Sequence, residues 1–237
     1  MRRREPRREP TEDEAAIGLD VMLDGMEERL VRSLPRPYMA HIIDMGISER
    51  TREIFVIEDI DDEFAGWFTK VFRRFQVQSE EPITIWLNTP GGDEEGMLVF
   101  YDLVTTSKVP ITIVGSGSIC SAGVLMLACG HKRLVTENCT LMSHESRGLG
   151  GPDLRHSEAK ERRKWEDWLH DRWFELMARC TEPHTQDRDR VCDAKFWKQV
   201  TERKAEYWLL GGQAMIDHGL ADAIYDPKML PKPAQRR

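Results

Sequence analysis

Ser121 is the residue from which chemistry can first be argued. It stands in residues 111–129, ITIVGSGSICSAGVLMLAC, where an alternating apolar strand turns through two glycines and enters an almost wholly apolar helix. A hydroxyl at the mouth of a buried helix lies beside unpaired backbone N–H groups and the positive end of the helix dipole. An anion developing on a reacting carbonyl would be stabilised there. The turn Asn88-Thr89-Pro90-Gly91-Gly92 follows a neighbouring strand, at the end of a parallel sheet where ligand sites collect. Glycine in that turn lets a bare N–H approach a carbonyl oxygen. A serine nucleophile needs a base, and His144 is the best placed of the seven histidines, ending Leu141-Met142-Ser143 just before the glycine-rich residues 147–151. The pattern is not the GxSxG elbow, because Ile119 occupies the place of the first glycine. On spacing alone, a helix-capping serine and an ordinary strand-end histidine remain the plain alternatives.

The elements that must position these groups can be read from periodicity. Residues 52–58 (REIFVIE) and 82–88 (PITIWLN) are β-branched or aromatic runs and predict strands. Between them, Phe64, Trp67, Phe68, Val71, Phe72 and Phe75 form the stripe of a helix packing on a sheet. Residues 94–107 predict a helix with Met97, Leu98, Tyr101, Leu103 and Val104 inward, 111–114 a third strand, and 132–135 and 140–143 two short ones. Repeated strand–helix alternation means parallel strands joined by crossover helices. Pro152-Asp153 should start a long helix running to about Arg179, with Trp165, Trp168, Leu169, Trp173, Leu176 and Met177 as its apolar stripe and a charged opposite face. Residues 195–201 and 212–218 suggest short helices and 206–209 a short strand, Gly219 closing the last helix.

Composition excludes several classes. The 237 residues, 40% hydrophobic and 32% charged, describe a globular chain with a sizeable core, and a net charge of −7 argues against nucleic acid as a partner. Five cysteines without a CxxC pair or a metal-spaced His/Cys cluster imply a reducing compartment and no metal. Cys120, next to Ser121, reads as a buried structural cysteine. The longest apolar run, residues 119–129, is about half of what a bilayer span needs, and the arginine-rich start has no apolar targeting segment. A cytoplasmic protein is expected. Residues 1–44 read as a charged tail and a helix (residues 15–34), a pro-segment or docking extension; 45–228 as the main domain; 229–237 as a tail.

Three motifs, in order, resemble the proteolytic subunit of the Clp protease (ClpP). Asn88-Thr89-Pro90-Gly91-Gly92 is similar to the family's Asn-Ser-Pro-Gly-Gly turn. Gly117-Ser118-Ile119-Cys120-Ser121-Ala122-Gly123 is similar to its Gly-x-Ala-x-Ser-x-Gly nucleophile segment, and Met142-Ser143-His144 to its Met-Ile-His. Gln213-Ala214 and Gly219-Leu220-Ala221-Asp222 resemble the closing helix and Gly-Leu-x-Asp, so the likeness spans residues 52–224. The resemblance implies an α/β, crotonase-like spiral of strand–helix units with a protruding handle helix. It also implies a serine endopeptidase with Ser121 as nucleophile, His144 as base, an oxyanion hole at Gly91 and Ala122, and substrate binding at Gly91, Gly92, Glu145 and Ser146. The family's third residue is an aspartate; anchoring on Trp208-Leu209 puts Glu206 there, and a shift by one would put Tyr207 there. No cofactor is implied in this chain. Its expected partners are peptide or protein substrates, further copies in stacked, heptameric rings, and an AAA+ unfoldase that consumes the ATP; no membrane or nucleic acid is expected. Two other readings accompany this one: an inactive ClpP-like ring or assembly subunit, against which the retained serine and histidine speak, and a crotonase-fold acyl-CoA enzyme, in which Ser121 would be superfluous. Lys132, the nearest downstream lysine, is poorly located to act as a base.

Overall fold

The computed structural model describes residues 45–146, 155–186 and 191–230. The predicted helix over residues 15–34 and the glycine-rich residues 147–151 lie outside them. The described residues form one eight-stranded sheet with helices packed on it. The strands are β1 (Ile47–Ser48), β2 (Glu53–Val56), β3 (Ile83–Thr89), β4 (Ile111–Cys120), β5 (Lys132–Val135), β6 (Thr140–Ser143), β7 (Tyr207–Leu210) and β8 (Ala223–Ile224). The order along the main path is β1-β2-β3-β4-β5-β8, with β6 on β4 and β7 on β6. Pairing is antiparallel only for β1–β2 and β6–β7 and parallel elsewhere, as crossover connections require.

The aromatic stripe does what its spacing implies. Helix α1 (Asp62–Gln78) starts at Asp61, whose side chain accepts the Phe64 N–H at 2.9 Å. It buries Phe64, Phe68, Val71, Phe72 and Phe75. Phe68 stacks on Phe100 of α2 (Glu94–Thr105), ring centroids 4.6 Å apart. Replacing such a fully buried phenylalanine by alanine costs about 3–5 kcal/mol. Phe100, fully buried, is a core member the sequence stripe of this helix omitted.

β4 is longer than expected and replaces the anticipated glycine turn. Gly115 and Gly117 lie within it, and its register on β3 slips between Leu87 and Thr89. Thr112–Gly115 pair with β5, whereas Ser118–Cys120 pair with β6, so the strand changes neighbours at Gly117 (φ +67°), a left-handed conformation that suits glycine. The following helix, α3 (Ala122–Ala128), is buried throughout.

The long helix, α4, spans His156–Thr181; the expected start at Pro152-Asp153 lies outside the described residues. The Glu158 carboxylate accepts the Arg155 N–H at 3.0 Å at its start. Its first three turns are mostly exposed; Leu169, Trp173, Phe174, Leu176 and Met177 are buried, while Trp168, expected in the apolar stripe, is 56% exposed. Two short helices follow, α5 (Ala194–Arg203) and α6 (Gly212–Asp217). No helix among the described residues is long and apolar enough to cross a membrane.

One buried cation ties the C-terminal segment to the sheet. Arg133 on β5 is 2% exposed. Its backbone N–H donates to Asp222 Oδ2 at 2.7 Å, its Nη1 to the Gly219 and Cys180 carbonyls at 2.7 and 3.0 Å, and its Nη2 pairs with Asp222 Oδ1. Burial pushes the Asp222 carboxyl up, but the hydrogen bonds and charge of Arg133 outweigh it and hold it below its ordinary value.

Candidate active site

Ser121 sits at the strand-to-helix junction between β4 and α3 with φ +54° and ψ −122°, one of two non-glycine residues of positive φ among the described ones. That conformation is sparsely populated for a residue with a Cβ. Its N–H donates to the Met142 carbonyl at 2.8 Å, which holds it to the end of the β4–β6 ladder. Its hydroxyl does not cap the helix. The capping reading of this serine therefore fails on backbone geometry: a capping residue is extended, with its side chain on the second or third N–H of the helix.

The Asn88–Gly92 turn packs directly on that junction. A Cβ placed on Gly91 (φ +96°) would lie 2.6 Å from both the Cys120 oxygen and Ser121 Cβ, and 3.0 Å from Ala122 N. The Asn88 side-chain oxygen accepts the Ser118 N–H at 3.1 Å, and Thr89 Oγ1 donates to the Glu58 carbonyl at 2.6 Å. The Gly91 N–H, expected at the oxyanion hole, donates instead to Thr89 Oγ1 at 3.1 Å. Gly92 (φ +142°) forms a parallel bridge with Ile60, in which the Ile60 N–H reaches the Gly91 oxygen and the Asp93 N–H reaches the Ile60 oxygen. In a parallel bridge the middle residue turns its own N–H away from that partner. Gly92 is exposed and lines the groove that Ser121 and Ala122 also line. Ala122, the first residue of α3, has an N–H with no intrahelical acceptor.

His144 lies just past the end of β6, half-buried, on the same groove. Its Nδ1 is 2.7 Å from the Glu145 carbonyl oxygen. A carbonyl can only accept, so in the neutral ring Nδ1 carries the proton and Nε2 the lone pair. Ser146 also lines the groove; Glu145 is exposed and contributes that carbonyl. Glu206 precedes β7. The ladder pairs Ser143 with Tyr207, so one further step brings His144 opposite Glu206. The carboxylate nevertheless accepts the Trp208 Nε1–H at 2.8 Å and is exposed. Tyr207, the alternative under a shift of alignment, bonds His218 Nε2 through its hydroxyl at 2.8 Å. Lys132 donates to the Met229 carbonyl at 3.1 Å and does not line the groove.

The groove itself, about 560 Å³, has a wall that sequence reasoning did not identify. Trp165, Glu166, His170, Trp173 and Phe174 of α4 face Met97 and Glu94 of α2 and Met142 of β6 across it. The spacing 166, 170, 173, 174 is the signal of one helix face, but nothing in the sequence says that this face looks onto Ser121. Three of the cysteines are held as thiols: burial pushes Cys139 and Cys180 up to about 12 and about 11, and Cys129 well above its ordinary value. All five are free thiols, and no cluster among the described residues could hold a metal.

Known proteins resemble this chain in sequence and in fold. The chain is 26% identical over 205 residues to the ATP-dependent Clp protease proteolytic subunit 1 of Salinibacter ruber, covering 84% of each chain. It is 26% identical over 179 residues to the proteolytic subunit 2 of Gluconobacter oxydans, covering 73% of each. A solved ClpP1 point mutant from Listeria monocytogenes superposes with a TM-score of 0.62 at 23% identity, over 75% of this chain and 93% of that one. The fold is thus ClpP-like. The family model described as Clp protease matches residues 40–228, and the chain belongs to the Clp protease family.

Proposed function

We propose that this chain is a serine endopeptidase acting through an acyl-enzyme, with Ser121 as nucleophile, His144 as general base, Gly92 and Ala122 N–H groups as the oxyanion hole, and Glu206 orienting His144. The observation that carries the reading is the positive-φ Ser121, set on the groove that also takes the His144 ring. In this mechanism His144 Nε2 takes the proton of Ser121 Oγ as that oxygen attacks the scissile carbonyl. The carbonyl oxygen becomes an oxyanion between the two N–H groups. His144 returns the proton to the departing amine, and water then repeats the sequence on the ester. The Glu145 carbonyl already holds the imidazole in the tautomer this step needs. The bond that Gly91 makes to Thr89 supports giving the oxyanion role to Gly92 in place of Gly91.

The names of the relatives, proteolytic subunits of an ATP-dependent protease, support the rest of the reading. The chain assembles with copies of itself into stacked rings in the cytoplasm. An ATP-consuming unfoldase supplies the unfolded protein substrates. A non-catalytic ring subunit is the competing reading, and one observation favours it: His144 and Glu206 are bonded to Glu145 and Trp208 and not to each other. A fluorophosphonate probe separates the two. Labelling located at Ser121 by mass spectrometry, abolished in Ser121→Ala and reduced in His144→Ala, is the expected result. A correctly assembled but unlabelled oligomer supports the non-catalytic reading.

A further inference from the structure

We infer that the groove beside Ser121 takes a lysine or arginine side chain next to the scissile bond. This inference rests on the peptidase reading. The groove has both apolar and acidic lining. Met97, Met142, Trp173 and Phe174 supply the thioethers and rings, and Glu94 and Glu166 the carboxylates. No lysine or arginine among the described residues lines it. Asp93, also at the edge, is committed to capping α2 through the Gly96 N–H at 2.9 Å. Glu94, half-buried, makes no hydrogen bond or ion pair among the described residues. The His170 imidazole faces Glu202 at 3.4 Å, so it adds no free cation. A long basic side chain satisfies both zones, its methylenes along the apolar walls and its head among carboxylates and aromatic faces.

A second observation points the same way. The Arg162 guanidinium lies over the Trp165 ring at 4.7 Å, with its Nε 3.6 Å from Glu166. Trp165 and Glu166 are both groove residues. The Arg162 Nε is buried without a hydrogen-bond partner. One basic side chain of the protein is thus already held between an aromatic face and a carboxylate of this wall, by the interaction inferred for the substrate. An acidic side chain would meet like charge there, and an aliphatic one would leave Glu94 without a counter-charge, since Glu166 already faces Arg162.

The test uses the full chain and fluorogenic peptides that differ only at the residue before the cleaved bond: Lys, Arg, Leu or Glu. The expected order of kcat/KM is Lys and Arg above Leu, with Glu lowest. The Lys-to-Leu ratio should fall about fivefold in Glu94→Gln and in Glu166→Gln, the size of a half-exposed charge interaction. An enzyme that takes the fluorophosphonate at Ser121 yet prefers Leu, or whose ratio neither variant lowers, overturns the inference and leaves the peptidase reading intact. Absence of Ser121 labelling removes that reading, and the inference with it.

Discussion

The candidate site has two halves that are built by different means. On the β4–α3 side the backbone itself makes the geometry. The positive φ of Ser121, its N–H on the Met142 carbonyl and the close approach of Gly91 fix the backbone of Ser121. On the β6–β7 side the backbone only brings His144 and Glu206 into register, and the side chains bond elsewhere, to the Glu145 carbonyl and the Trp208 indole. A site of this kind can keep the proposed nucleophile set while the proposed base and acid are assembled by rotations about side-chain bonds, which cost little and are fast.

The comparison can be broken from its rigid half first. Ser121→Ala should lower peptide turnover by about 10⁴-fold or more with an unchanged melting temperature, since the hydroxyl caps nothing; residual activity within tenfold of the parent would remove Ser121 from the chemistry. Gly91→Ala adds a Cβ 2.6 Å from the Cys120 oxygen and Ser121 Cβ at a φ that alanine resists. About 10³-fold loss in kcat is expected, with fluorophosphonate labelling slowed in proportion.

Asp222→Asn leaves the Arg133 cation buried with a neutral partner and should cost about 3 kcal/mol in denaturant unfolding, while leaving the site residues in place. The pH dependence of that contribution has a definite sign. The folded Asp222 carboxyl lies below its ordinary value of 3.8. Its stabilisation is therefore present above the unfolded value and is lost as pH falls through the folded one. Acid unfolding of the parent should steepen below about pH 4, a feature that Asp222→Asn flattens.

The adaptable half should yield smaller changes. Glu206→Gln should lower kcat about tenfold, well short of a triad carboxylate's full effect, because the Glu145 carbonyl already fixes the tautomer. Trp208→Phe removes the indole N–H that holds Glu206 and should raise kcat about twofold. A fall instead would mean that the Glu206–Trp208 bond belongs to the working arrangement.

Sequence patterns showed the two halves unequally. The strand–helix alternation, the α1 aromatic stripe and the Ser121 junction follow from periodicity and from glycines that only a tight backbone approach requires, so they were legible. Gly91 and Gly92 could not be told apart by type; which N–H is free depends on a hydrogen bond from one turn residue to another, Gly91 to Thr89. The α4 wall was invisible for a different reason. Trp173 reads as core, which it is, Phe174 is a core member the stripe omitted, and only the tertiary path of the helix makes the same face a boundary of the groove. Trp168 erred the other way, since an apolar type at nearly the right spacing still fell outside the buried arc.

Arg133 also bears on truncated chains. Its carboxylate partner lies 89 positions later, and the two carbonyls it needs, at Cys180 and Gly219, lie 47 and 86 positions later. A chain that ends at α4 lacks the carboxylate that pairs with this guanidinium and the strands β7 and β8 that follow it. Fragments ending before Asp222 should therefore be cleared by cellular proteases, however complete their Ser121 segment is.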